Sequence, residues 1–373
     1  MTLAASLCSE PDYDRCVHPM VDAFTRRNHY NPCFWTALWN EDYFSEYCSG
    51  ATGKSSPRDQ VVYALNLRAG KVLRTTVENV HYHKDLGVAE IDPESAKRFC
   101  ARWYPEKYDS MVEYVTEHPE KVYLDFEDIL TGMESLLHYD SWMRSAKLGD
   151  LQSFEDKCFL AAALMIHAMR SYEYMSSAIS RASEIGIDKW EYFWQLKNVW
   201  SNNEFLTRAT IVPALAQWTL WRTRNHSFPL CDSPVMIDRD SVMVTLSPRL
   251  LLEIDLTVPD PELPWIVHED LPERKFAEFR KRCIDNSFKE IIFSDKQVLL
   301  DWLVSEELAA RIAALKDPAR DQEFMRESTL RTNYGLSGFG RVPQDFENLL
   351  AKGSLDLSRP QEICTAGSFK GPV

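Results

Sequence analysis

The chain of 373 residues contains no closely paired cysteines. Its nine cysteines (Cys8, Cys16, Cys33, Cys48, Cys100, Cys158, Cys231, Cys283 and Cys364) are scattered and odd in number. None forms a C-x-x-C, so neither a disulfide framework nor a zinc ribbon is expected, and the thiols read as reduced. Long apolar runs are also missing. The most apolar stretch, residues 158–168, spans about three helical turns, against the roughly 20 residues of a membrane span. Glu10, Asp12, Asp14 and Arg15 break up the N-terminal apolar residues, so no signal peptide is expected and the location reads as cytoplasmic. Positive charge is in deficit: 42 Lys and Arg stand against 56 Asp and Glu, a formal net charge of −14. Non-specific binding to phosphate backbones is therefore disfavoured.

Familiar catalytic signatures are absent too. Gly53-Lys54-Ser55 is not a phosphate-cradling loop, because the first glycine of that motif is missing at the needed spacing. There is no G-x-S-x-G elbow, no H-E-x-x-H and no internal repeat. What the chain does have is apolar mass. Hydrophobic residues make up 45% and aromatic residues 12%, including 11 Trp, enough for a large core.

Local patterns predict a mixed chain. Residues 1–50 read as an aromatic, helical opening, with Pro32 starting a helix. Alternation predicts a hairpin from 60–67 and 71–80. Helices are expected over 93–118, 123–147, 152–184 (capped by Ser153, ended by Gly186) and 188–224, with a break at Pro213. Short strands follow at 235–237, 242–244 and 250–258, with a turn at Asp238-Arg239-Asp240. A helix at 272–286, a strand at 290–293 and a helix at 295–315 complete the pattern. The expected fold is α+β, a central helical bundle with flanking antiparallel β-hairpins. It should occupy residues 1–350 as one large domain or two intimately packed lobes, with a weakly ordered tail over 351–373.

Several polar groups sit in apolar or aromatic surroundings. Arg26-Arg27-Asn28-His29-Tyr30 packs two cations, an amide, an imidazole and a phenol into five residues. It reads as a proton-transfer and anion-holding cluster, or as a helix start whose polar groups satisfy backbone. His81 and His83, at i and i+2 of a strand, would share a face as a metal pair, or be ordinary solvent-facing residues. His167 and Arg170 share a face of the most apolar helix, so Arg170 requires a partner, either a structural carboxylate or a bound ligand. Glu127 and Glu134 on the preceding helix are candidates. Asp232, between Cys231 and Ser233-Pro234, is a turn cap, a metal ligand or a general base.

Taken together, these motifs resemble the domain of unknown function 4238 family. Asn28-His29-Tyr30-Asn31-Pro32-Cys33-Phe34 resembles its His-Tyr-x-Pro-x-Phe opening. His167-Ala168-Met169-Arg170 is similar to its apolar helix ending in Gln-x-x-Arg. Leu230-Cys231-Asp232-Ser233-Pro234-Val235 resembles its Ser-Asp-Asn-Pro-Val turn, and Leu246-Ser247-Pro248 its Leu-Ser-Pro strand end. The resemblance spans roughly residues 26–300, with departures at Asn31, Cys33, His167 and Ser233. It implies that the recurring polar residues are His29, Tyr30, Arg170, Asp232 and Asn286, and it brings no established activity.

The leading expectation is a hydrolase-like enzyme acting on a phosphodiester or nucleotide. His29 would be general acid or base, Asp232 a second base or metal ligand, and Arg27, Tyr30, Arg170 and Asn286 would bind substrate. The alternative is a non-catalytic binding or interaction protein, or a small-anion sensor. The sequence names no cofactor, metal or macromolecular partner.

Overall fold

The computed structural model describes residues 17–19, 27–49, 56–84, 86–103, 105, 108–117, 122–125, 154–200, 213–224, 226–259, 266–268 and 271–338. The strands are β1 (Val17–Pro19), β2 (Arg27–His29), β3 (Val61–Asn66), β4 (Lys71–Thr76), β5 (Tyr82–Lys84), β6 (Val88–Ile91), β7 (Val122–Asp125), β8 (Ala216–Arg222), β9 (Leu230–Cys231), β10 (Val235–Ile237), β11 (Ser241–Ser247), β12 (Leu250–Pro259), β13 (Ile266–His268) and β14 (Glu290–Phe293). The α-helices are α1 (Cys33–Thr36), α2 (Glu41–Cys48), α3 (Pro93–Trp103), α4 (Tyr108–Glu117), α5 (Phe154–Arg170), α6 (Tyr172–Glu184), α7 (Lys189–Trp200), α8 (Glu273–Asp285), α9 (Lys296–Leu303), α10 (Glu306–Leu315) and α11 (Pro318–Gly338).

Mixed α+β architecture is thus observed. The strands form sheets of order β1-β7-β6, β10-β11-β12-β8-β13, β4-β3-β14-β9 and β2-β5. Pairing is antiparallel except for β13 on β8. The expected hairpin is β3–β4, and the Asp238 turn is closed by its N–H donating to the Ser241 carbonyl at 2.9 Å. Among the described residues no helix is long and apolar enough to cross a membrane.

Two apolar cores lie on opposite faces of the sheets. Along β11, Val242, Val244 and Leu246 enter one core while Met243 enters the other. In β14, Ile292 faces the first core, and Ile291 and Phe293 face the second. Both strands therefore carry unbroken apolar runs, residues 242–244 in β11 and 291–293 in β14, as expected of strands covered on both sides. The first core takes Leu160, Leu164 and Met165 from α5 and Met175 from α6. The second takes Phe279 and Cys283 from α8, Leu299 and Trp302 from α9, and Leu308 from α10.

Four expectations need correction. The helix expected through 188–224 gives way to β8, because its aromatic residues lie on an alternating strand: Trp218 and Leu220 are buried between the part-exposed Gln217, Thr219 and Trp221. An i, i+3 aromatic pair matches the helical period, and here pairing with neighbouring β12 overrides it. Residues 122–125 form β7 rather than the start of a helix, because they pair with β1 and β6. The helical opening contains the short strands β1 and β2 before Pro32 starts α1. Finally, the long helices break once each. Ser171 (φ −54°, ψ 152°) separates α5 from α6, and Ser305, whose Oγ accepts from the Leu308 amide, restarts the chain as α10. Ser153, Glu127, Glu134, Gly53-Lys54-Ser55 and the tail lie outside the described residues.

Helix α6 ends as expected at Gly186. The Ile187 amide donates to the Ala182 carbonyl at 2.8 Å and the Gly186 amide to Ser183 at 3.1 Å, a Schellman closure with glycine in the left-handed region, φ 75°. Nothing lies within 4 Å of a Cβ placed there, so the requirement is conformational alone. Gly186→Ala should lower stability by about 1 kcal/mol, measured by urea unfolding.

Candidate functional site

The polar residues singled out by sequence come from distant stretches, and the fold gathers most of them into one buried seam. Strands β2 and β5 pair through His29 and Tyr82, which places Tyr30 and Asn31 beside His81. The α5–α6 junction supplies His167, Arg170, Ser171 and Glu173. The turn after β9 supplies Asp232 and Ser233, and the start of β14 supplies Lys289 and Glu290.

Asp232 is fully buried, and its carboxylate is held by backbone. Oδ1 accepts from the Phe288 amide at 3.0 Å, and Oδ2 accepts from the amides of Lys289 at 2.5 Å and Glu290 at 3.0 Å. Burial raises its pKa to about 6 although these three amides pull it down, so Asp232 is ionised at neutral pH. The same turn is braced from its other side. Arg311 donates from Nε to the Ser287 carbonyl at 3.1 Å, and its guanidinium lies between the rings of Phe288 and Phe324, 4.7 and 4.4 Å from their centroids.

Asn31 is the second junction. Its amide nitrogen donates to the Cys231 carbonyl at 3.1 Å, which fixes which end of the side chain is nitrogen, because a carbonyl only accepts. The same nitrogen lies 2.9 Å from His81 Nδ1, and the oxygen lies 2.9 Å from His167 Nε2. His81 Nδ1 therefore accepts, and His167 Nε2 donates. Burial lowers the pKa of both imidazoles, that of His81 to about 3 with help from the Lys289 charge. Both are neutral at physiological pH.

Glu173 occupies the broken helix junction. Its Oε1 lies 2.8 Å from Ser171 Oγ, which also donates to the Ala168 carbonyl at 2.9 Å, and its Oε2 meets Ser233 Oγ. A hydroxyl has one proton, and the Ala168 carbonyl can only accept, so a protonated Glu173 supplies the missing hydrogen. Burial, reinforced by the nearby Asp232 charge, raises its pKa to about 8.

Of the remaining candidates, Arg170 donates from a guanidinium nitrogen to the His29 carbonyl at 2.5 Å. His29 is buried, with its ring 5.9 Å from that of Tyr82. Tyr30 is buried beside Tyr172 and His81. Arg27 places its backbone in β2 opposite Lys84. Asn286 stands apart from the seam: it ends α8, and its amide donates back to the Arg282 carbonyl at 2.8 Å.

His81 and His83 do not form a metal pair. His81 precedes β5 with φ 51°, which turns it out of the strand's alternation, and it bonds Asn31. His83 stacks on Tyr172 at 5.3 Å. Among the described residues, no group of three His, Cys, Asp or Glu could hold a metal ion. Sequence reasoning passed over Asn31, Glu173, Lys289, Glu290 and Arg311 as site residues. Glu173 had a legible signal, lying three residues beyond Arg170 within the helix expected over 152–184. No family model matches the chain, and neither curated proteins nor solved structures yield a match.

The raised pKa of Glu173 carries a sign. The folded state holds a proton that the unfolded carboxyl, with an ordinary value of 4.5, releases. Its contribution to stability is full below pH about 4.5 and is lost as pH rises to about 8. Glu173→Gln should therefore unfold with a shallower decline in stability over that interval and be at least as stable as the parent above pH 8, measured by urea unfolding across pH.

Proposed function

We propose that the protein is a non-catalytic binding protein for a small anion, with the buried polar seam fixing its fold. The observation that carries this reading is the occupancy of Asp232, whose two oxygens accept from three successive backbone amides. A general base needs a lone pair within reach of a substrate proton, and a metal ligand needs one aimed at the ion. Fully buried and engaged by three amides, Asp232 keeps at most one lone pair, on Oδ1, for either role. The hydrolytic alternative keeps His29 and Arg170 but lacks an available partner at Asp232.

The chemistry of the seam supports the same reading. The imidazoles of His81 and His167 are neutral, Glu173 is protonated, and Arg170 spends a donor on main chain. Such a set stabilises an arrangement and does not poise a proton for transfer. The resemblance to the domain of unknown function 4238 family, cytoplasmic residence, and a central helical bundle built around α5 and α6 belong to this proposal. So does the absence of non-specific nucleic-acid binding, which the acidic balance favours.

Truncation separates the readings. Asp232→Ala strips three buried amides of their acceptor, so we expect a loss of about 3 kcal/mol or more in chemical unfolding. A variant as stable as the parent, or more stable, would instead mark the strained carboxylate of a catalytic site and sink the binding reading.

A further inference from the structure

Tyr30 Oη and His81 Nε2 have no hydrogen-bond partner among the described residues. The side chains are 1% and 0% exposed, and their rings lie 5.6 Å apart. A buried donor left unpaired forfeits its hydration without return, so native interiors rarely leave one, and here two lie together.

The rest of His81 is fully committed. Its amide donates to Glu290 Oε2 at 2.8 Å and its carbonyl accepts from the Tyr30 amide at 3.0 Å. Its Nδ1 accepts from Asn31, so the neutral ring carries its hydrogen on Nε2. The backbone is held in the left-handed region, φ 51°, a conformation costly for a residue other than glycine and most often kept where a group must be aimed. The surrounding contacts thus fix one N–H donor on a ring whose centroid lies 5.6 Å from that of the Tyr30 phenol.

Flat rings connect these atoms to the surface. Tyr30 packs on Tyr172 at 5.7 Å, and the part-exposed His83 stacks on Tyr172. The part-exposed Lys289 sets its ammonium 4.9 Å from the Tyr82 ring and 5.9 Å from the Tyr30 ring. Negative groups also face this corner, since Glu290, Asp232 and Glu173 all act on the Tyr30 hydroxyl. Glu173 is protonated at neutral pH, burial raises the Glu290 carboxyl as well, and Lys289 stands beside Asp232 and Glu290. A doubly charged phosphate would meet two carboxylates. A monoanion with a flat body meets two donors, one cation and a wall of rings.

We propose that Tyr30 Oη and His81 Nε2 together bind the carboxylate of a small aromatic acid, whose ring lies against Tyr172, Tyr82 and His83 near the Lys289 ammonium. This site rests on, and makes specific, the binding reading above.

Benzoate is the probe, compared with acetate and inorganic phosphate at matched ionic strength, by thermal melting and titration calorimetry on the full chain. Benzoate should raise the melting temperature and release or absorb heat saturably, and acetate and phosphate should do so at least tenfold more weakly. Tyr30→Phe removes only the unpaired hydroxyl. It should leave the free protein at least as stable as the parent while weakening benzoate binding at least tenfold. Parent protein that ignores benzoate, or a Tyr30→Phe variant that binds it unchanged, overturns the site. Either result leaves the Asp232 stability comparison, and with it the broader binding reading, to stand or fall separately. A Tyr30→Phe variant that melts well below the parent also overturns it, because the hydroxyl would then have a structural partner.

Discussion

The grip of Asp232 on the amides of Phe288, Lys289 and Glu290 is the constraint on which the other contacts depend. It fixes the turn that begins β14, and β14 lies between β3 and β9 at the centre of its sheet. Residue 290 then presents its carboxylate to the His81 amide, residue 289 sends its ammonium to the Tyr82 carbonyl, and residue 288 offers its ring to Arg311. Three segments distant in sequence are thereby indexed from one buried charge. An ionised group in the interior is tolerated only where its acceptors are filled, and successive backbone N–H groups provide that without a competing side chain.

The same logic governs the neighbouring groups. Burial opposes charge, and the protein answers by neutralising what it can: His81 and His167 lose their protons, and Glu173 keeps its own. Asn31, able to donate and accept at once, ties the two imidazoles and the Cys231 carbonyl into one chain of bonds. Such a connected set specifies one arrangement of β2, β5, α5 and β9, because slipping any one of them strands a polar group. The two apolar cores supply the bulk of the burial, and the seam between their sheets supplies register.

Much of the fold was legible because its elements obey local rules. The β3–β4 hairpin alternates, α8 and β14 fall where their periods change, and Gly186 closes α6 as a left-handed cap. The failures share a cause. Trp218 and Trp221 are spaced as on one face of a helix but lie on opposite faces of β8, and pairing with β12 decides. Ser171 and Ser305 interrupt helices that the apolar pattern runs straight through. For the seam, His29, Tyr30, Arg170 and Asp232 were visible as polar residues in apolar surroundings, but Asn286 was not distinguishable from an ordinary helix end. The partners of Asp232 are amides, which no side-chain pattern can reveal. Asn31 and His167 bond each other, and Ser233 meets Glu173, pairs that are intelligible only once the fold brings them together.

Native-state hydrogen exchange at the amides of Phe288, Lys289 and Glu290 tests the central role of Asp232 most directly. If its carboxylate anchors the fold, these amides should exchange only through global unfolding, with the same protection as the core amides of β14. Exchange through local opening, at rates typical of surface turns, would contradict the account.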